Sequence, residues 1–299
     1  MIDFSNCQVD PFRTYGGANG NKKGIIYEGA IYMVKFPQKE SAGGRYTNAC
    51  LSEYLGCQIY GMLGIEVQET LYGIYDVQGE KKTVVACKDF TGDNFTLMEF
   101  ANLKNSVIDA SRDFSSGYGT ELGDVLKAIE CQKLIRPATK LKEYFWDVFI
   151  VDAYLGNFDR HNGNWGILVN MMRRAAKIAP IYDCGSCLYP RLTEDNMPAI
   201  LDNPNEIDKR VYTFPTSALK LNGKKINYFD FISSHMNNDC TEALRRIHPR
   251  IHQEEIDEFI ESRDFLSDTQ KKFYCTMLRA RKEKILDVAF ERIEHGSTD

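Results

Sequence analysis

No stretch of this sequence is long and apolar enough to cross a bilayer: the most apolar run, Phe145–Leu155, is too short and is broken by Asp147 and Asp152. The opening residues, MIDFSNCQVDPFR, lack the basic segment and following apolar run of a secretory signal. Positive charge is not in excess. With 37 Lys and Arg against 42 Asp and Glu the formal net charge is −5, so non-specific binding along a phosphate backbone is not the expected activity. There is no H-E-x-x-H among the 5 histidines. The 9 cysteines, at 7, 50, 57, 87, 131, 184, 187, 240 and 275, are odd in number and scattered. An extracellular disulfide framework favours an even, patterned set, so a reducing compartment is the better expectation. Internal repeats, charge blocks and low-complexity segments are missing as well. What remains is ordinary: 299 residues, 43% hydrophobic, 26% charged and 12% aromatic, with 22 Gly and 9 Pro. That composition suits a folded chain of one to three domains with a large core. The expectation is a soluble cytoplasmic protein; a signal-independent secretion route would leave no mark of this kind.

The pattern of apolar residues changes along the chain. Up to about residue 90 it reads mostly as strands. Ile25–Tyr27 and Ile31–Phe36 flank Glu28-Gly29, and Val67–Asp76 and Thr83–Cys87 flank Gln78-Gly79, both with hairpin chemistry. Between them Tyr46–Leu63 reads as a helix, with Leu51, Leu55, Ile59 and Met62 along one face and Gly64 as a stop. Beyond residue 90 helical spacing dominates, in Glu121–Lys133 and in the almost wholly apolar Glu143–Leu155. Trp165–Val169 and Lys177–Tyr182 read as a further hairpin. Residues 184–217 show no clear period and are expected to be irregular, and three amphipathic helices are expected over about 238–294. The expected fold class is α+β: a small β-rich lobe, 1–90, and a larger, mainly helical lobe, 91–299, forming one catalytic unit.

The sharpest local feature is Asn157-Phe158-Asp159-Arg160-His161-Asn162-Gly163-Asn164, between the buried helix and the hairpin that ends in Ile181-Tyr182-Asp183-Cys184-Gly185. Phosphoryl transfer calls for these residue types. One carboxylate orients or accepts the proton of the attacking hydroxyl, while a second carboxylate and an amide oxygen hold Mg²⁺ on the nucleotide phosphates. Asp159 and Asn164 are five residues apart, the interval of the protein-kinase catalytic loop, and Asp183 stands where the D-F-G carboxylate would. Taken alone, Asp159 and Asn164 could equally be turn and capping residues.

The runs GGANGNK, YMVKFP, SEY, VVACKDF, FWD, LGNFDRHNGNWG and IAPIYDCGSCLYP occur in that order over most of the chain. Together they resemble the HipA-like kinases, and most closely the cell-translocating kinase A branch. The resemblance implies a bilobal protein-kinase-like fold and an ATP- and Mg²⁺-dependent protein serine/threonine kinase. It implies Asp159 as catalytic base, Asn164 and Asp183 as Mg²⁺ ligands, and Lys35 as the phosphate-pairing lysine with Glu53 as its partner. Gly16, Gly17, Ala18, Asn19, Gly20 and Asn21 match the phosphate-covering loop. Lys88, Asp89 and Phe90 match the adenine-reading segment, His161, Asn162 and Gly163 line the catalytic loop, and Tyr182 precedes the metal carboxylate. Thr14 and Tyr15 at the mouth of the glycine loop are candidate autophosphorylation sites, with Ser186, Tyr189 and Thr193 as rivals. The sequence also departs from the family pattern. The loop is G-G-A-N-G-N, Cys184 replaces the Phe of D-F-G, and the glycine loop begins by residue 16. The extra N-terminal segment of HipA proper therefore has no expected counterpart, and an antitoxin partner is not implied.

Other features have plainer readings. His161 has no neighbouring His or Cys, so a loop-orienting role is expected. Cys184-x-x-Cys187 is a single pair and makes a poor zinc site, although Cys87 and Cys184 are both expected to border the cleft. His248 and His252, and the basic pairs around Arg245 and Arg279, read as packing or solvated helix faces. Asp147 and Asp152 need partners in a buried helix, and one of them is expected to brace the catalytic loop through backbone N–H groups or Arg160. The expected partners are a nucleotide and an unidentified protein substrate, with neither nucleic acid nor membrane. The competing readings are a small-molecule or lipid kinase of related fold, and a nucleotide-binding signalling module without catalysis.

Overall fold

A computed structural model of the chain describes residues 1–13, 15, 22–39, 47–92, 94–107 and 116–294. Strands β1 (Ile2–Asp3), β2 (Gln8–Val9), β3 (Lys22–Tyr27) and β4 (Ala30–Lys35) are followed by helix α1 (Ala49–Met62), then β5 (Thr70–Val77) and β6 (Glu80–Lys88). These strands form a six-stranded sheet in the order β1-β5-β6-β4-β3-β2. Only β1 and β5 run parallel. The two expected hairpins are present. Glu28 and Gly29, and Gln78 and Gly79, all take positive φ, the turn geometry that matches strand twist. The short strands β1 and β2 gave no periodic signal because two residues cannot show one.

Alternation sorts the sheet into two faces. Ile25, Tyr32, Val34, Tyr75, Val84 and Ala86 pack with Phe4 into a small core on one side. Met33, Val85 and Cys87 turn to the other side and join a larger core with α1. Lys35 is two residues beyond Met33 on β4, so it shares that face. Helix α1 is buried on nearly every side, and Gly64, at φ 74°, follows its end.

The chain continues through β7 (Thr96–Glu99), α2 (Phe100–Val107), α3 (Leu122–Cys131), α4 (Ala138–Leu155), β8 (Gly166–Asn170) and β9 (Ala175–Ile178). Strands β7, β8 and β9 form a three-stranded antiparallel sheet. The stretch 184–217 is not irregular throughout. It contains α5 (Met197–Leu201) and α6 (Pro204–Tyr212), because Pro198 and Pro204 occupy first-turn positions, where a proline starts a helix rather than breaking one. Strands β10 (Lys220–Leu221) and β11 (Lys224–Lys225) form a small hairpin, followed by α7 (Tyr228–Ser233), α8 (Asn238–Ile247), α9 (Gln253–Glu261), α10 (Asp268–Arg281) and α11 (Val288–Glu294). A π-helical stretch, Lys282–Asp287, joins α10 to α11, so the third expected helix is a longer, interrupted one.

Trp146 of α4 lies in the larger core, with the rings of Phe145, Phe149 and Phe231 at 5.1, 5.4 and 5.8 Å. All 9 cysteines are free. Among the described residues no helix is long and apolar enough to cross a membrane.

Candidate active site

Helix α4 delivers the catalytic-loop sequence. Its cap, Gly156, takes φ 66°, which bends the chain out of the helix, and a Cβ there would meet Pro215 Cγ at 3.3 Å. The buried carboxylate of Asp152, in the last turn, holds the loop that follows. It accepts hydrogen bonds from Tyr60 Oη and Asn157 Nδ2, both at 2.7 Å, and pairs with Arg160 Nε at 3.2 Å. Asn157 Oδ1 accepts the Asp159 N–H at 3.0 Å, and Tyr228 Oη donates to the Asn157 carbonyl at 2.7 Å. Arg160 Nη1 donates to the carbonyls of Asn164 at 2.8 Å and Tyr182 at 2.5 Å. One buried guanidinium thereby joins α4, the loop and the segment preceding Asp183. Burial opposes its charge, but Asp152 outweighs that and holds the guanidinium firmly protonated. Of the two helix carboxylates considered from sequence, Asp152 is the brace, whereas Asp147 pairs with Arg246 at 2.7 Å.

Lys35 Nζ lies 3.0 Å from Glu53 Oε2 of α1 and 3.1 Å from Asp183 Oδ1. The pairing expected for Glu53 is therefore present, and its second oxygen, Oε1, is buried without a hydrogen-bond partner. Burial disfavours the ammonium of Lys35, yet the carboxylates of Asp183 and Glu53 hold it well above its ordinary value. The pull of Lys35 depresses the Asp183 carboxyl in return. Burial lifts Glu53 against the same pull. Asp183 adopts φ 58°, a left-handed conformation uncommon for a side-chain-bearing residue and often found at functional sites.

Asn164 is nearly buried, and its Nδ2 donates to the Asp159 carbonyl at 2.9 Å. That fixes the amide and leaves Oδ1 as the oxygen available to a ligand. With the second carboxylate oxygen of Asp183, it is a hard oxygen donor of the kind Mg²⁺ takes, so the residues fit the ion. The Asp159 side chain is exposed. Partial desolvation raises its carboxyl above the ordinary value, opposed by His161 and Lys225 and reinforced by Asp183.

Other expected site residues are placed unequally. Tyr182 Oη donates to the Gly163 carbonyl at 3.0 Å, and its ring lies 5.8 Å from that of Phe90. His161 Nδ1 accepts the Gly163 N–H at 3.0 Å, the loop-orienting role expected for it. Asn162 is fully buried and its Nδ2 donates to the carbonyls of Gly117 and Gly119 at 2.7 and 2.8 Å, so its side chain braces the loop. The Lys88 carbonyl accepts from Gln68 Nε2 at 2.8 Å, its N–H binds the Glu69 carbonyl, and the Asp89 N–H binds the Ile31 carbonyl. The Lys88 ammonium pairs with Glu69 at 2.7 Å, and the Asp89 carboxylate takes Arg13 at 2.9 Å and Tyr15 Oη at 3.2 Å. Cys87 and Cys184 are fully buried instead of bordering a cleft, and Cys184 Sγ accepts from Arg160 Nη2 at 3.4 Å. Thr14 and the glycine loop, Gly16–Asn21, lie outside the described residues. The sequence reading missed Tyr60 and Tyr228 as braces, which carry no local signal. It also missed the β10–β11 hairpin, for which Asn222-Gly223 was a readable turn signal.

A lysine paired with a helix glutamate and a carboxylate in the segment after β9, next to a loop bearing a second carboxylate and an oriented amide, is the arrangement of a protein-kinase-like phosphotransferase. No protein-family model matches the chain. It is 49% identical over 294 residues to the serine/threonine-protein kinase CtkA of Helicobacter pylori (strain J99 / ATCC 700824), across 97% of this chain and 88% of that protein. The chain belongs to the CtkA family of serine/threonine-protein kinases. The crystal structure of a Helicobacter pylori proinflammatory kinase CtkA superposes with a TM-score of 0.92 at 47% identity, over 100% of this chain and 99% of that one. A chain from the Shewanella oneidensis MR-1 toxin–antitoxin complex of HipA, HipB and operator DNA gives a TM-score of 0.56 at 16% identity, over 95% and 69% of the two chains. That second likeness shows the shared α+β fold.

Proposed function

We propose that this kinase transfers the γ-phosphate of ATP to a serine or threonine hydroxyl of a protein, with Asp159 as the base that aligns the hydroxyl. The reading is carried by the ion-pair set in which Lys35 bridges Glu53 and Asp183 at 3.0 and 3.1 Å, while Arg160 ties the Asp183 segment to the loop bearing Asp159 and Asn164. Lys35 offsets charge on the phosphates. Asn164 Oδ1 and Asp183 hold Mg²⁺, which when bound neutralises phosphate charge and orients the transferring group. The contribution of the protein is positional and electrostatic, since phosphoryl transfer demands little else.

The nucleotide lies between the lobes 1–90 and 91–299, and Gly16–Asn21 is the segment that the family resemblance assigns to its phosphates. The N–H and C=O of Lys88 and the N–H of Asp89 already have protein partners. Adenine is therefore read by the Asp89 carbonyl and the Phe90 N–H, beside the Phe90 and Tyr182 rings. Thr14 and Tyr15 remain the candidate autophosphorylation sites. Among the rivals, Tyr189 is buried and donates to the Arg210 carbonyl at 3.0 Å, which disfavours it.

Incubation with γ-labelled ATP, with Mg²⁺ and with chelator, and mapping of phosphosites in the enzyme and in added protein, tests the reading. Label that appears only with Mg²⁺ and disappears in Asp159→Ala is expected. Turnover retained in that variant would overturn the assignment of the base.

A further inference from the structure

The β10–β11 hairpin places charge at the edge of the proposed site. Its turn, Asn222-Gly223, takes positive φ at both residues. The turn is pinned by Glu121, whose carboxylate oxygens accept the Asn222 and Gly223 N–H groups at 2.6 and 3.1 Å. The Lys220 N–H donates to the Thr120 carbonyl at 2.8 Å. Both flanks of the hairpin reach the catalytic loop. On one side Phe214 packs its ring 5.5 Å from Phe158, the neighbour of Asp159. On the other, Tyr228 bonds the Asn157 carbonyl. The hairpin is thus a fixed part of the site surround.

Its charges are left without close ion pairs. Lys220 and Lys225 are exposed and directly opposite each other in the register, an arrangement that destabilises a strand pair. Neither makes an ion pair among the described residues, and Glu121 directs its carboxylate to the turn instead. Lys225 is close enough to Asp159 for its ammonium to act on that carboxylate. Beside Phe158 a third exposed cation, Arg191, lies 6.0 Å over the ring and also lacks an ion pair among the described residues. Asp159 is therefore bordered by Lys220, Lys225 and Arg191, with the half-exposed rings of Phe158 and Phe214 between them. A chain of net charge −5 has gathered at this rim three cations that make no ion pair among the described residues.

We propose that this rim receives carboxylate-bearing residues flanking the acceptor hydroxyl, so that the kinase selects serines or threonines within acidic protein segments. The inference rests on the assignment of Asp159 as the base. An acidic flank supplies the close ion-pair partners that the Lys220–Lys225 pair lacks among the described residues. It also offers steering and register more than raw affinity, as charge complementarity at a rim does.

Steady-state phosphorylation of two synthetic peptides tests this, one with Glu and one with Lys at the positions around a single serine. The wild type is expected to use the Glu peptide with a KM lower by about tenfold, and the gap should narrow as salt rises. In the Lys220→Glu/Lys225→Glu double variant the Glu-peptide KM rises by about tenfold or more, while the KM for ATP stays within about twofold. Lys224→Glu, across from Leu221 on the opposite face of the hairpin, should change neither value by more than about twofold. Equal use of both peptides by the wild type overturns the inference and leaves the kinase reading standing. Absence of transfer to any substrate in both wild type and Asp159→Ala is failure of the kinase reading itself. An equal fall in kcat for both peptides with a raised KM for ATP would assign Lys225 to the transferring phosphate and overturn acceptor selection. So would tight binding of a fluorescent single-stranded oligonucleotide that the double variant loses without any change in peptide discrimination.

Discussion

Two cationic regions flank the proposed base, and they are built in opposite ways. Arg160 is buried, paired with Asp152, and donates to the carbonyls of Asn164 and Tyr182. Lys220 and Lys225 lie in water on a hairpin, face each other, and make no close ion pair among the described residues, Lys225 acting on the Asp159 carboxylate only at longer range. A buried cation must be fully matched or the fold fails, so Arg160 has become an architectural element. An exposed cation carries no such obligation, and leaving it unmatched keeps it available to an outside anion. The residues proposed for catalysis stand between these extremes. Lys35 has two carboxylates to share, and Asp183 stays partly open to ligand.

The largest expected effect falls on chemistry without touching either cation. Asp159→Ala should lower turnover by about 10²–10⁴-fold, the range for losing a general base, measured as transfer of labelled phosphate. The fold should not suffer. The Asp159 carboxyl is raised in the folded protein, so its ionised form is disfavoured there, and its contribution to stability grows only as pH falls through the raised value. At neutral pH the variant is expected to melt at the same temperature or about 1–2 °C higher. A marked drop in melting temperature would place Asp159 with the architectural group.

Next in size is Asp152→Ala, which strands the Arg160 guanidinium in the interior. Removing one partner of a buried pair costs about 3–5 kcal/mol, and denaturant melts should show a loss of that order. Phosphate transfer should fall with it, because Arg160 sets the path of the segment before Asp183. A loss below about 1 kcal/mol would erase the contrast between the two cationic regions.

How far these roles could be read from residues alone follows the same division. Elements with a strong local period were legible: both hairpins of the larger sheet, α1, and α4 with its buried face. The pairing of Lys35 with Glu53 was legible through the family resemblance, and the spacing of Asp159, Asn164 and Asp183 pointed to phosphoryl transfer, the role proposed for them. The bracing of Arg160 by Asp152 was legible as a need, because a carboxylate in an apolar helix must find a partner. The two tyrosine braces were not, since Tyr60 reaches Asp152 and Tyr228 reaches the Asn157 carbonyl across 92 and 71 residues of sequence. Residues 184–217 misled because α5 and α6, of 5 and 9 residues and with Pro198 and Pro204 in their first turns, are too short to show a clear period. The resemblance placed Asn162 in the loop lining, but its contacts with the Gly117 and Gly119 carbonyls, 45 and 43 residues away in sequence, carried no local signal.

A smaller effect concerns pH. Asp183 is depressed below its ordinary 3.8, so its contribution to stability is present above that value and is lost as pH falls through the lower folded one. Lys35 is raised above its ordinary 10.5, so its contribution is present below that value and is lost as pH rises through the higher folded one. The stability difference between wild type and Asp183→Asn should therefore be flat from about pH 5 to pH 10 and shrink below about pH 4. Because the Asp183 side chain is 45% exposed, solvent screening limits the plateau to about 1 kcal/mol. A difference that grew on acidification would mean that Lys35 does not hold this carboxylate ionised.

The smallest effect is the most discriminating for the exposed region. Replacing Lys220 and Lys225 together with alanine removes two like charges that oppose each other across the hairpin and breaks no ion pair found among the described residues. Denaturant melts should change by no more than about 0.5 kcal/mol, and any change should be a gain that added salt diminishes. The turn remains pinned by Glu121 through the backbone, so the hairpin keeps its place beside Phe158. A loss above about 1 kcal/mol would show that the lysines hold the hairpin in position, and they would then belong with Arg160 as architecture. If stability is instead unchanged while the acidic-peptide KM rises, the two regions separate cleanly: the buried cation is retained for the fold, and the exposed pair is retained, against its own repulsion, for the acceptor.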